Sequence, residues 1–321
     1  MTYLSNVAGM HRRALLIGTA AMLACASSGQ AQELSYPVDS VRLIVPANPG
    51  GGTDTAARLF ADFFTRYTGA SIAVVNQFAG GGVVAAQTIA TADDDGSELL
   101  FYHTSIHVAE LTGTWPFGYQ DFTPLASVSL FDDVIVARAD APYDTLSGML
   151  DYARQHPGEV TFGSQLGGTT EIKGAALAQA SEDTLRVVDA GSESDRTTAL
   201  LGEQVDAIPM GVNNAQQYTE AGTLKVLAVL NNDPSPFAPD WQTAPAQGVD
   251  LSFPLVFQVF APKGVDPKAV SAMDAVIDRM KTDPTVKEAF EKVKQTPSLR
   301  TSSEIAPLLE QEHAFVNRYI K

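Results

Sequence analysis

"VRLIVPANPGGGTDTAARLFADFF" (residues 41–64) runs an apolar, β-branched stretch into three glycines and then into a helical pattern. "VRLIV", followed by Pro46 and Pro49, reads as a buried strand. After Gly50, Gly51 and Gly52, Thr53 or Asp54 is a natural N-cap, because either side chain accepts a bond from a free helix amide. Leu59, Phe60, Phe63, Phe64 and Tyr67 then share one helical face, while Asp54, Arg58, Asp62 and Arg66 alternate in sign along another. Gly69 stops the helix. The device recurs at once: "SIAVVN" (71–76) is a strand, "FAGGG" (78–82) a turn and "VVAAQTIATA" (83–92) a helix.

Two successive strand–turn–helix units in a parallel sheet put both turns on one edge, at the carboxyl ends of the strands. A helix opening behind glycines leaves backbone N–H groups uncovered, and the helix dipole adds roughly half a positive charge there. Such a place holds a carboxylate or phosphate without help from lysine or arginine. One glycine turn alone is more often a tight connection. Two side by side let their amides converge on one small anion.

Bulk properties bound the rest. A chain of 321 residues, 45% hydrophobic and 18% charged, is a soluble globular protein long enough for two domains. Residues 1–31 read as a secretory signal peptide: Arg12 and Arg13, an apolar stretch from Ala14 to Ala26, and a small-residue exit with cleavage after Ala31. The paired arginines fit the twin-arginine route poorly. Cys25, the only cysteine, lies inside this leader, where a lipid anchor is the alternative to simple cleavage. The mature chain then has no cysteine, which excludes disulfides and thiolate chemistry. Beyond the leader no apolar run reaches the about 20 residues that cross a bilayer. Losing two arginines lowers the formal charge from −16 to −18. A chain this acidic has no general attraction for nucleic acid or anionic lipid, so any anion site must be built locally.

Searches for chemistry return little. Neither turn carries the lysine of a nucleotide phosphate loop or the third glycine of a dinucleotide fingerprint, and no G-x-S-x-G elbow occurs. Arg42 and Arg58, the basic groups nearest the turns, are expected to face away. His103 and His107 stand four apart, but "LLFYHTSIHVAEL" (99–111) opens with a strand, so His103 falls in a turn and His107 on the next helix. No metal, cofactor or catalytic group is expected. His103, Thr104 and Ser105 form a third strand end on the same edge and are candidate ligand contacts. "VTFGSQLGGTTEIKGAALAQA" (160–180) repeats the strand, turn and helix, with Ser164, Thr169 and Thr170 as polar donors. Alternating strands and helices to the C-terminus argue an α/β protein with mainly parallel sheets.

The order of "VRLIVPANPGGGTDTAARL", "VVNQFAGGGVVAAQTIA", "DFTPLASV", "ARQHPGEVTFGSQLGGTT", "ALLGEQVDA", "EAGTLKVLAVL" and "FQVFAPKGVDPKAV" resembles the periplasmic solute receptors of tripartite tricarboxylate transporters, the Bug receptors. The resemblance spans the mature chain. It implies a two-domain clamshell of the periplasmic-binding-protein type (class II). Domain I is expected over 32–131 plus 255–321 and domain II over 132–254. It also implies a monomer that binds a small organic carboxylate and hands it to membrane permease subunits, without catalysis. Carried over by position, Asn48, Gly50, Gly51, Gly52, Thr53 and Asp54 with Ala79, Gly80, Gly81 and Gly82 would clamp a ligand carboxylate. Ser105, Ser164, Gly168, Thr169 and Thr170 would add polar contacts, Phe78 and His103 would shape the pocket, and Asp206 would read the ligand's far end. Ala47 departs from the family's usual aromatic, Phe78-Ala79-Gly80-Gly81-Gly82-Val83 from its Pro-Gly-Ala-Gly-Gly-Asn, and Val188-Asp189-Ala190-Gly191 from its Pro-Tyr-Lys-Gly. The family's histidine after the Ser/Thr turn is replaced near Ile172. These departures touch ligand identity more than the backbone clamp. Two other readings stay open: a sensor passing occupancy to a signalling partner, and an enzyme acting on a phosphorylated substrate.

Overall fold

The first sheet is entered through β1 (Ser40–Val45), α1 (Gly52–Thr68), β2 (Ser71–Asn76), α2 (Val83–Ala90), β3 (Glu98–His103), α3 (Ser105–Leu111) and β4 (Phe122–Phe131). The computed structural model describes residues 34–320, so the expected leader lies outside the described residues. Phe60, Phe63 and Phe64 put the apolar face of α1 into the core, each burial stabilising by about 2 kcal/mol. Gly69 ends that helix in a left-handed conformation, its amide returning to Thr65 O.

At Asp132 the chain crosses to a second sheet. It is built by β5 (Asp133–Arg138), α4 (Leu146–Gln155), β6 (Thr161–Ser164), α5 (Thr169–Ala180), β7 (Arg186–Asp189), α6 (Glu193–Leu201), β8 (Ala207–Gly211), α7 (Val212–Glu220) and β9 (Leu224–Val229). A longer segment, 230–254, returns to the first sheet as β10 (Leu255–Pro262). α8 (Pro267–Thr282), α9 (Pro284–Lys292), β11 (Thr296–Arg300) and α10 (Ser302–Tyr319) follow. Two helix-flanked sheets joined by two crossovers make the expected clamshell.

The strand orders are β11-β4-β10-β3-β1-β2 and β7-β6-β8-β5-β9. Both sheets are mixed, which corrects the expectation of mainly parallel ones. In the first, β1 pairs in parallel with β2 and β3, while β10–β3, β10–β4 and β11–β4 are antiparallel. In the second, β6 pairs in parallel with β7 and β8, and β5 is antiparallel to β8 and β9. The reason is the double crossing: a chain that enters and leaves a lobe at one edge must use strands of opposite direction. β11 was not expected from sequence at all.

Register fixes which edges meet. Phe257 pairs with His103, Leu255 with Phe131 and Thr296 with Leu130, so the ends of β3 and β4 share an edge with the starts of β10 and β11. In the second sheet Asp133 pairs with Gly211 and Ser164 with Asp189. The peptide from Phe131 to Asp133 joins these edges, so the turns after β1, β2 and β3 face those after β6, β7 and β8. The crossovers are tied together: the Asp132 carboxylate accepts bonds from Asn231, Ser235 and Thr296, and Leu230 N donates to Asp133 O (2.9 Å).

α10 belongs to both lobes. Ile305 and Leu309 pack with Leu100 and Phe260 in the first, while Phe315 and Val316 join Ile135 and Leu146 in the core of the second. It is a third, non-covalent strap across the hinge.

Candidate functional site

The first turn opens α1 with Gly51, not Thr53 or Asp54, as the N-cap (φ −77°, ψ 173°), and no side chain caps it. Among the described residues the amides of Gly52, Thr53 and Asp54 have no acceptor. Gly50 N donates to Asp54 Oδ2 (2.9 Å), and Gly51 N approaches Asn48 O at 3.5 Å. In the first turn this leaves three amides at the helix opening without acceptors among the described residues.

Asp54 frames this turn. Its carboxylate also accepts from Arg58 Nε (2.9 Å) and Asn76 Nδ2 (3.0 Å), and Asn76 Nδ2 reaches Ala47 O as well. Burial pushes its pKa up, but the bonds from Arg58, Gly50 and Asn76 outweigh that and hold it at about 2. Asp54 is thus a fixed anion tying the turn to the end of β2. Arg58 does not face away as expected; it turns back onto Asp54, whereas Arg42 pairs with Glu98 at the surface.

The second turn sits against the first. Gly80, Gly81 and Gly82 all have positive φ (63°, 66° and 91°). A Cβ on Gly82 would lie 2.7 Å from Pro46 Cβ and 2.9 Å from Trp115 Cζ2, so only glycine lets the two turns touch. Trp115 Nε1 donates to Gly81 O (3.2 Å). Gly82 N bonds Phe78 O (3.2 Å), while the amides of Ala79, Gly80 and Gly81 have no acceptor among the described residues. Phe78 is 52% exposed.

At the third turn the expected roles divide. Thr104 is fully buried and its hydroxyl is spent on the second crossover, donating to Pro254 O (3.3 Å) and accepting from Val256 N (3.0 Å). That corrects its assignment as a ligand contact. His103 Nδ1 accepts from Ser105 N (3.2 Å) at the start of α3. Burial, with Lys173 as a lesser cause, pushes the His103 pKa down to about 3, so the ring is neutral.

The facing lobe spends its turn amides on its own carboxylates. Leu166 N and Gly191 N donate to Asp189 (3.3 Å each), Gly167 N to Glu171 (2.7 Å) and Gly211 N to Glu193 (3.2 Å). Ser164 is fully buried with its hydroxyl on Val188 O (3.3 Å), and Thr170 Oγ1 accepts from Gln165 N (2.8 Å) within its own loop. Both hydroxyls are thus bonded within their own lobe. Gly168 is the N-cap of α5 and Thr169 its first residue, both on the edge that faces the first lobe.

Asp206 is not at this edge. It precedes β8, accepts from Thr161 N (2.8 Å) and lies 3.9 Å from Arg138, at the far end of the second sheet. Its role in reading the ligand is therefore corrected.

Three groups near the gap were not anticipated. Lys173, fully buried on α5, pairs with Asp133. Arg196 on α6 is 4% exposed, donates to Gly191 O (2.7 Å) and leaves Nε without a partner among the described residues; burial lowers its pKa despite Glu193, Asp133 and Asp195 nearby. Phe131 sits under both lobes: a Cβ on Gly211 would be 2.5 Å from its ring and one on Gly52 4.0 Å. Among the described residues no group of three or more His, Cys, Asp or Glu could hold a metal ion.

The Tripartite tricarboxylate transporter family receptor (TctC) profile matches residues 56–321. A protein of Bordetella pertussis from the UPF0065 group is 31% identical over 277 residues, covering 85% of each chain. A TctC solute binding protein from Polaromonas, solved without ligand, superimposes with a TM-score of 0.78 at 24% identity, covering 89% of this chain and 99% of that one. MatC from Rhodopseudomonas palustris, solved with bound malate, gives 0.70 at 24%, covering 89% and 100%. The matched family is one of receptors, and the Polaromonas neighbour is a solute binding protein. With a family profile over most of its length and the two-lobed fold beneath it, this chain belongs to the tripartite tricarboxylate transporter receptor family.

Proposed function

We propose that the protein captures a small organic carboxylate between its lobes, in the periplasm after loss of residues 1–31, and delivers it as a monomer to the permease subunits of a tripartite transporter. The lobes divide as 32–131 with 255–321, and 132–254. The observation that carries the reading is the α1 opening, where Gly52, Thr53 and Asp54 present three amides without acceptors among the described residues, at the positive end of a 17-residue helix. The amides of Ala79, Gly80 and Gly81, also without acceptors among the described residues, supply a second set of donors next to it. A carboxylate takes both, and hinge rotation brings the second lobe over it. Malate in MatC is a precedent for the ligand class.

A thermal-shift screen of mono-, di- and tricarboxylates on residues 32–321 tests the proposal. A ligand at about 100 times its dissociation constant should stabilise by about 2.7 kcal/mol. If no carboxylate raises the melting temperature, while an uncharged isostere does, the reading fails.

A further inference from the structure

A cavity of about 700 Å³ lies behind the hinge, walled by β11, α10 and the two ends of the second crossover. The strand orders put it opposite the glycine turns. In the first sheet β3, β1 and β2 lie on one side of the crossover strands β4 and β10, and β11 on the other. In the second, the turns follow β8, β6 and β7, whereas the crossover segment flanks β9 through Val229 N to Gln242 O (2.9 Å) and Ala244 N to Val229 O (2.8 Å).

Glu312 lines this cavity and is only 7% exposed. Its Oε2 is held by His107 Nε2 (3.2 Å) and Gln258 Nε2 (2.9 Å), and Oε1 has no donor among the described residues. Phe315, one turn along α10, stacks on Phe253 at 4.9 Å beside it. Asp132, Asp233 and Asp250 also line the cavity, against Arg300 and Arg318, and Arg318 is 3.8 Å from Asp250. A buried carboxylate with a vacant oxygen next to aromatic faces suits a charged N–H donor on an apolar body.

We propose that this cavity is a second binding site, taking a small organic cation of the primary-ammonium class with a hydrocarbon body, with Glu312 as its anchor. Occupancy opposes closure of the front gap. Rotation about the crossovers that narrows the front widens the back, and a molecule bridging α10 to residues 231–236 resists that widening. Such coupling is reciprocal between the two ligands.

Calorimetry of residues 32–321 with phenethylammonium chloride is the direct test, with 2-phenylethanol as the neutral isostere. One saturable site is expected for the amine and none for the alcohol. Glu312→Gln should weaken the amine at least about tenfold. Leu308→Trp, on α10 one turn before Glu312 and lining the cavity, should block it while the melting temperature is retained. Gly51→Asp, at the front, should leave it unchanged. No saturable heat, equal binding of the alcohol, indifference to both back-side variants, or loss in Gly51→Asp would each overturn the site. The mature chain has no cysteine, so labels on Phe78→Cys and Leu166→Cys report the front gap alone. The amine should lengthen that distance, and an unchanged distance overturns the coupling.

Discussion

Gly51→Asp separates binding from folding, because the two respond in opposite directions. Gly51 has extended backbone angles that any residue adopts, and a Cβ there meets only Asn48 O at 3.6 Å. Aspartate at this N-cap would itself accept the amides of both Thr53 and Asp54 and place a negative charge at the helix's positive end. Replacing glycine by a good cap adds a few tenths of a kcal/mol and the charge about 0.5 more, so the melting temperature should rise by about 2 °C. Ligand binding loses the same amides. A hydrogen bond to a charged group contributes about 1.5–3 kcal/mol, so losing two weakens a carboxylate by roughly 10²- to 10⁴-fold, before like-charge repulsion. Calorimetry against the best carboxylate from the screen, beside a melting curve, reads both. Unchanged affinity in a folded variant would refute the amide clamp.

Four further outcomes follow from the same geometry. Asp54→Asn should destabilise by about 2 kcal/mol at neutral pH; because the folded pKa is depressed, that contribution is complete above about pH 4 and vanishes toward pH 2, so wild type and variant should converge in acid melts. Gly82→Ala should cost about 2–4 kcal/mol from positive φ and contact with Pro46 and Trp115, seen as a lower denaturation midpoint. The His103 ring should stay neutral down to about pH 4 in an NMR titration, and a transition near about pH 6.5 would contradict its burial. Asp206→Ala should lower stability yet leave carboxylate affinity within about twofold, since it lies at the far end of its sheet.

Much of the fold was legible because glycine and proline punctuate it: the strands ending at Val45, Asn76 and Ser164 and the helices behind them follow local rules. β11 was not, since Thr296–Arg300 is short, carries Pro297 and lacks alternation, and it becomes a strand only because β4 offers an unpaired edge. The glycine turns of the proposed site were also legible as turns, but which of their amides lack an acceptor among the described residues depended on where Asp54 and Phe78 point. Asp206 was misplaced although its position held the clue: it precedes a strand, whereas the glycine turns follow theirs. Lys173 and Arg196 carry no local signal of burial in "EIKG" and "SDRT", and only tertiary packing buries them.

The final helix, shared by both lobes, makes the carboxyl tail a tether. Trimming the chain before Phe315 would cut that tether, widening the swing of the lobes and speeding solute escape. Any change to this helix therefore bears on a kinetic measurement of release.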